Sequence, residues 1–175
     1  MTTTVTPPKS VSKLLAIALI LGVLALDQLS KFYVVTQLRL PELGRIEISP
    51  FFDFTMVWNY GVSFGALRAD AQWERWALVA LSGIISIVFV VWLWRATRGL
   101  TTLALALVVG GSIGNMTDRI RFGAVADFLD FSALHFPWVF NVADAAITLG
   151  AVLLALDMLL NPEEPPQSQQ KDQPQ

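Results

Sequence analysis

Four long apolar runs, separated by shorter polar segments, dominate the hydrophobic pattern of this chain. They lie at residues 14–34, 76–94, 100–116 and 139–160, and each is long enough to cross a bilayer as a helix. The second run contains no charged residue and has tryptophan at both ends, where the two membrane interfaces would lie. The pattern therefore predicts an all-α membrane protein with four transmembrane helices.

The first run also has the basic start that is typical of a cleavable signal peptide. No cleavage site with small residues follows it, so we interpret it as a retained span. Lys9 and Lys13 precede this span, and Arg95 and Arg98 lie in the short turn between spans two and three. We assign this side to the cytoplasm, although the opposite side also carries cations, in longer segments mixed with acidic residues.

The stretch between the first two spans, residues 36–75, is too long for a tight connection. Apolar and polar residues alternate at 46–48 and 52–58, which is the period of a strand, and residues 64–75 are expected to form a short surface helix. We predict a small strand-containing extracytoplasmic module that covers the membrane surface. One membrane domain then occupies residues 1–160, and residues 161–175, rich in Pro, Gln and Glu, are predicted to be a disordered cytoplasmic tail.

Composition narrows the possible chemistry. Charged residues make up 15% of the chain, whereas soluble domains contain about 25%. The net charge of −2 offers no basic surface for nucleic acid. The chain lacks cysteine and has a single histidine, His135, which excludes thiol catalysis and multi-histidine metal sites. His135 is interpreted as a loop histidine; a dyad with Ser132 is conceivable, but neither residue lies in an elbow motif. Carboxylates are the main reactive groups left.

The polar residues near the spans converge on one membrane face. With four crossings, the end of span one, the start of span two, the end of span three and the start of span four lie on the same side, whichever way the protein is oriented. The unusual polar residues at these ends are Asp27, Lys31, Asn59, Asn115, Asp118, Arg119, Asp127, Asp130, Asn141 and Asp144. The sequence therefore predicts a polar site at this face.

Two carboxylates at such a face have a recognisable chemistry. Like charges a few ångströms apart tend to share one proton, so one carboxylate can activate water while the other polarises a peptide carbonyl. Asp144 lies among apolar residues at the mouth of span four, which makes it one candidate. Its partner is Asp127 or Asp130, and spacing does not decide between them. Asp157 belongs near the opposite face, about 20 Å further along the same helix.

Several of these residues also have a structural interpretation. Asp27 and Lys31 have the spacing of a helical ion pair. Asn59 precedes two glycines and suits a turn. The small residues at 110–114 favour close helix packing. Asp118 is expected to face water or to pair with an arginine. A proton-coupled carrier and a structural subunit therefore remain alternatives to an enzyme.

The residues at the span ends resemble the lipoprotein signal peptidases (signal peptidase II). The matching blocks are Asp27-Gln28-x-x-Lys31, Asn59-x-Gly61-x-x-Phe64-Gly65, Gly114-Asn115-x-x-Asp118-Arg119-x-x-x-Gly123-x-Val125-x-Asp127-Phe128 and Phe140-Asn141-Val142-Ala143-Asp144. They follow in the family's order, and the resemblance covers about residues 14–160.

The resemblance implies an aspartic endopeptidase of the bacterial cytoplasmic (inner) membrane, with its active site at the extracytoplasmic face and both termini in the cytoplasm. The implied substrate is a diacylglyceryl-modified prolipoprotein, cut just before the lipidated cysteine, and the implied inhibitors are cyclic peptides such as globomycin. The implied catalytic pair is Asp127 and Asp144, which excludes Asp130.

The resemblance also implies roles for the surrounding residues. Those implied to bind substrate are Asn59, Asn115, Arg119 and Asn141. Those implied to support the site are Asp27, Lys31, Gly61, Gly114 and Gly123. No metal or organic cofactor is implied, and we expect a monomer surrounded by membrane lipid.

Overall fold

A computed structural model describes residues 12–61 and 72–162 of the protein. Four helices in this part of the chain are long and apolar enough to cross a membrane, which confirms the predicted spans. They are α1 (Lys13–Phe32, continued by a π-helical turn at Tyr33–Gln37), α3 (Gln72–Arg95), α4 (Gly99–Phe122) and α5 (Val142–Leu160). The short helix α2 (Leu40–Leu43) lies between α1 and the first strand.

Helix α4 is the central span. Of its most apolar window, 56% is buried inside the protein, against 11–22% for the other three spans, whose remaining apolar surface is left for lipid. Glycines allow its neighbours to approach closely. A Cβ atom on Gly111 would lie 2.4 Å from the Ala143 carbonyl oxygen of α5, and one on Gly114 would lie 2.5 Å from Asp27 of α1. The predicted packing role of these small residues is confirmed.

A four-stranded antiparallel sheet lies at one end of the spans, in the order β1 (Arg45–Ser49), β2 (Phe52–Asn59), β3 (Val125–Asp130) and β4 (Val139–Phe140). The alternating pattern had predicted β1 and β2, and both are confirmed. The two added strands come from the connection between spans three and four. An apolar cluster of Val34, Leu40 and Phe128 packs the sheet against the end of α1.

The boundaries of two predicted spans are corrected. Span four begins at Val142 rather than at residue 139, because Val139 and Phe140 pair with β3 and Asn141 then caps the helix. Span three continues past Met116 to Phe122 and ends where Gly123 adopts a left-handed conformation, with φ of 81°. A left-handed residue after the last turn is a common helix terminator, and glycine adopts it without strain.

Two expectations concern residues that lie mostly outside the described part of the chain. The predicted surface helix at 64–75, and the cover it would provide, lie outside the described residues as far as residue 71, and residues 72–75 form the first turn of α3. The predicted disordered tail lies outside the described residues from residue 163 onward.

Candidate active site

Asp127 occupies the middle of β3, and only 3% of it is exposed. The strand places its carboxylate between two amides. Asn59, at the end of β2, donates to Oδ2 over 3.1 Å, and Asn141 donates to Oδ1 over 2.6 Å. Asn59 also accepts a hydrogen bond from the backbone N–H of Gly61, as a turn residue would, so the same side chain stabilises the turn and contacts Asp127.

Asp144 lies in the first turn of α5 and completes a capping box with Asn141. Its backbone N–H donates to the Asn141 side chain over 2.9 Å, while its carboxylate accepts from the Asn141 backbone over 3.2 Å. Asn115 of α4 donates to its other oxygen over 2.7 Å. These contacts fix the Asp144 carboxylate on the side of the helix that faces Asp127.

Asn141 connects the two carboxylates. Its side-chain N–H groups donate to Asp127 and, over 3.1 Å, to the Asn115 oxygen, while its backbone holds Asp144. Burial, and after it the negative charge of Asp144, together raise the pKa of Asp127 to about 7. The amide donors of Asn59 and Asn141 oppose this rise but do not cancel it. Asp127 is therefore positioned to hold a proton near neutral pH.

A buried ion cluster lies behind the pair. The Lys31 ammonium group lies 2.9 Å from Asp27 and 2.8 Å from Asp118, and it donates to Asn115 over 3.2 Å. The predicted Asp27–Lys31 pair is thus present. The expectation that Asp118 faces water or pairs with an arginine is wrong, because Asp118 is fully buried and pairs with Lys31.

The same cluster ties the elements of the site together. Asp27 accepts from the Ala143 N–H at the start of α5 over 3.0 Å, and Asp118 accepts from the Ala126 N–H of β3 over 3.1 Å. Carboxylates near a helix N-terminus are stabilised by its dipole. Two acids from α1 and α4 therefore hold the backbones next to Asp144 and Asp127.

Arg119 lies at the end of α4 beside this network, and the negative charges of Asp144 and Asp127 act on its guanidinium. Among the described residues, its Nε is the one buried side-chain nitrogen or oxygen that lacks a hydrogen-bond partner. Arg75 of α3 donates to the Arg119 carbonyl over 2.7 Å and also to the Ile120 carbonyl. The contribution of Arg75 was missed, because nothing in the local sequence indicates a contact between these two helix ends.

The other carboxylates considered lie elsewhere. Asp130 is three residues from Asp127 on the same strand, so the two side chains point to opposite faces. Thr55 donates to Asp130 over 2.6 Å and, together with Ser132, lowers its pKa. Asp157 accepts from Thr101 at the far end of the spans. His135 lies in an exposed turn, as predicted, and makes none of the contacts of the site.

An apolar groove leads to Asp144 along the outer side of α5. Its volume is about 390 Å³, and it is lined by Phe136, Phe140, Asp144, Ala145, Thr148, Leu149 and Val152. Among the described residues that line it, Asp144 is the only ionisable one.

The fold and the site define a multi-pass membrane protein with two amide-bridged aspartates at one end of its spans. The described residues contain no group of three or more His, Cys, Asp or Glu that could hold a metal ion. A sequence model of the family described as signal peptidase (SPase) II matches residues 19–160. The chain belongs to this family of peptidases.

Curated relatives agree with this assignment, and solved structures share the fold. Lipoprotein signal peptidases of Caulobacter vibrioides and Rhizorhabdus wittichii are 44% and 51% identical to the chain, over 85% and 79% of its length and 89% and 81% of theirs. A bacterial membrane enzyme solved by the in meso method superposes with a TM-score of 0.73 at 27% identity, covering 86% of this chain and 96% of that one. A second such structure, at 24% identity, has the same fold with a TM-score of 0.75 over 92% and 99% of the two chains.

Proposed function

We propose that the protein is an aspartic endopeptidase that removes the signal peptide from diacylglyceryl-modified prolipoproteins by cutting just before the lipidated cysteine. One observation carries the proposal. Asp127 and Asp144, from two different elements, are joined through Asn141 at one end of the spans, and Asp127 has a pKa of about 7. A carboxylate pair that shares one proton is the arrangement that aspartic proteases use.

In the proposed reaction, Asp144 is the base and Asp127 is the acid. Asp144 takes a proton from water while the water oxygen bonds to the scissile carbonyl carbon, and the proton on Asp127 polarises the carbonyl oxygen. The carbon–nitrogen bond then breaks, and the cysteine amino group leaves with a proton from the dyad. The raised pKa of Asp127 and the partial exposure of Asp144 support this division of roles.

The surrounding polar residues bind substrate or hold the pair. Asn59, Asn115 and Asn141 donate to the two carboxylates. Asn141 is fully buried and uses both of its side-chain N–H groups within the site, so it holds the pair, and contact with an extended peptide is assigned to Asn59 and Asn115. Arg119 brings a cation with an unsatisfied Nε, which suits a substrate carbonyl oxygen. Asp27 and Lys31 support the site from behind. Three glycines of the family pattern act on the backbone in this proposal: Gly61 in the turn with Asn59, Gly114 against α1, and Gly123 at the end of α4.

The apolar groove along α5 supports a lipid-borne substrate. A signal peptide is an apolar helix, and a diacylglyceryl group stays in the bilayer, so both reach the site from lipid rather than from water. The groove connects the lipid-facing side of α5 with Asp144. Binding from the membrane also limits the exposure of the dyad to bulk water.

We place the protein in the bacterial cytoplasmic membrane as a monomer, with the dyad at the extracytoplasmic face and both termini in the cytoplasm. Lys13, Arg95 and Arg98 lie at the end of the bundle opposite the dyad, which supports this orientation. Residues 1–160 act as one membrane domain. Globomycin-type cyclic peptides would compete for the dyad.

The test is cleavage of a purified prolipoprotein with and without its diacylglyceryl group, with the products identified by mass spectrometry. We expect cleavage of the lipidated form only, a product that begins at the modified cysteine, and inhibition by globomycin. Cleavage at another bond, or equal cleavage of the unlipidated form, would contradict the proposed specificity while leaving a peptidase. Absence of any cleavage would overturn the function.

A further inference from the structure

A second cavity lies at the end of the bundle opposite the aspartate pair. It encloses about 320 Å³ between the end of α3, the start of α4 and the end of α5. The residues that line it are Trp92, Arg95, Ala96, Thr97, Arg98, Thr101, Leu154, Asp157 and Met158. The four-span topology separates this cavity from the dyad by the length of a span, so the proposed hydrolysis makes no use of it.

The charges around this cavity are mostly positive. Arg95 makes no hydrogen bond or ion pair with the described residues. Arg98 donates through Nη1 to the Asn161 carbonyl oxygen over 3.1 Å, and the same nitrogen lies 3.8 Å from Asp157, which is beyond hydrogen-bond distance. Lys13 adds a third cation beside the cavity, because its ammonium group donates to the Ala96 carbonyl over 2.8 Å.

Among the described residues that line the cavity, the one acidic side chain already accepts hydrogen bonds. Thr101 donates to one oxygen of Asp157 over 2.5 Å, and Asn161 donates to the other over 3.1 Å. Asp157 therefore balances part of one arginine charge and leaves Arg95 without a counter-ion among the described residues. A free guanidinium beside a cavity suits a phosphate group, which it can bind with two parallel hydrogen bonds.

The remaining walls show which phosphate compound fits. Leu154 and Met158 of α5 form an apolar side, and Trp92 lies one turn inside the span from Ala96. Tryptophan favours the level of lipid headgroups, with its ring against the upper part of the chains. The cavity thus has a cationic end at the membrane surface and an apolar end toward the bilayer interior. Its chemistry matches that of a lipid headgroup better than that of a free anion.

We propose that this cavity is a binding site for an anionic phospholipid, whose phosphate lies between Arg95 and Arg98 and whose glycerol and upper chains lie against Trp92, Leu154 and Met158. The site holds a lipid of the leaflet opposite the aspartate pair and fastens three spans together there. Basic pockets between transmembrane helices bind anionic headgroups in this way. The proposal depends on the membrane fold and not on the catalytic assignment.

Native mass spectrometry of the full chain in detergent tests the proposal. Phosphatidylglycerol, phosphatidylcholine and glycerol phosphate are titrated against the wild type, Arg95→Gln, Arg98→Gln and the double variant. Each basic side chain near an anionic surface contributes on the order of a fivefold gain in affinity, so we expect about fivefold weaker phosphatidylglycerol binding in each single variant and about 25-fold in the double variant. Arg39→Gln is the matched control, because Arg39 is exposed on the other side of the membrane and pairs with Glu42.

Each alternative has a distinct result. Equal affinity for phosphatidylglycerol and phosphatidylcholine, or unchanged affinity in Arg95→Gln, would overturn the site. Binding of glycerol phosphate as tight as that of the lipid would show a general phosphate site and overturn the lipid assignment. Arg95→Gln does not touch the dyad, so its cleavage rate in detergent should match the wild type. Loss of wild-type cleavage would bear on the proposed function alone.

Discussion

Gly111 is not part of the aspartate pair, yet it sets the distance between α4 and the start of α5, the helix that carries Asp144. It lies on α4 where α5 begins, and a Cβ atom there would be 2.4 Å from the Ala143 carbonyl oxygen and 2.8 Å from the Ile147 side chain. Gly111→Ala therefore pushes the start of α5 away from α4. Asp144 follows Ala143 directly and moves with it, whereas Asp127 stays on β3.

The size of the displacement follows from the contact distance. Ordinary van der Waals contact with a Cβ atom begins at 3.4 Å, so the Ala143 oxygen must retreat by about 1 Å. A carbonyl in the helix backbone cannot rotate away, so the whole turn must shift. A misplacement of about 1 Å in a catalytic group lowers the rate by roughly 10²-fold. Overpacking of this kind also destabilises the fold by about 1–3 kcal/mol.

The assay compares kcat for cleavage of a lipidated prolipoprotein with thermal unfolding in the same detergent. Gly150→Ala is the matched control, because its Cβ would lie 2.6 Å from the Ala104 carbonyl oxygen in the same α4–α5 contact but away from Asp144. We expect both variants to lose stability and only Gly111→Ala to lose about 10²-fold in kcat. Gly22→Ala, with open space around its Cβ, should change neither quantity. Equal activity of the folded Gly111 and Gly150 variants would refute the reasoning.

Three further predictions follow from the site. Asp127 has a pKa of about 7 in the folded protein against an ordinary value of 3.8. As the pH rises between these values, Asp127 ionises in the unfolded chain before it does so in the folded protein, and the wild type therefore loses stability. The unfolding temperature of Asp127→Asn relative to that of the wild type should therefore increase from pH 4 to pH 7. Lys31→Met leaves the acids Asp27 and Asp118 buried without their cation and should cost about 3–5 kcal/mol in urea unfolding. Arg75→Gln removes the hydrogen bonds that Arg75 donates to the Arg119 and Ile120 carbonyls. Because Arg119 is proposed to bind substrate, this change should raise KM more than it lowers kcat.

Each of these predictions has a result that contradicts it. If the stability difference between Asp127→Asn and the wild type does not change with pH, folding does not raise the pKa of the Asp127 carboxyl group. Lys31→Arg keeps the charge and should lose less stability than Lys31→Met; equal losses would mean that size, and not charge, matters there. For Arg75→Gln, a fall in kcat with unchanged KM would place the effect on the dyad instead of on substrate binding.

Local pattern was sufficient to predict the spans and two of the strands, because both follow from periodicity within a short window. The sequence also predicted that the polar residues lie together at one face, because four crossings place the span ends that carry them on the same side of the membrane. The start of span four was placed too early because Val139 and Phe140 are apolar enough for a helix, and their strand depends on pairing with β3. Strands that form through partners distant in the sequence leave little local signal.

The identity of the paired carboxylate shows the same limit. Spacing alone left Asp127 and Asp130 equal, although on a strand residues three apart point to opposite faces, so a recognised strand would have separated them. Asp118 was misjudged for a different reason. Its partner Lys31 lies 87 positions earlier in the chain, and only the packing of α1 against α4 brings the two together. The contact from Arg75 to the end of α4 is likewise a product of tertiary structure.

The most direct measurement is the turnover of a lipidated prolipoprotein by Asp127→Asn and Asp144→Asn, with Asp130→Asn and Asp157→Asn as controls. Asparagine preserves the shape of the side chain and removes its ability to carry a proton or a charge. The account predicts that both variants of the pair lose turnover while they remain folded and that both controls keep it. Substantial turnover by folded Asp127→Asn, or its loss in Asp130→Asn, would contradict the assignment of the pair.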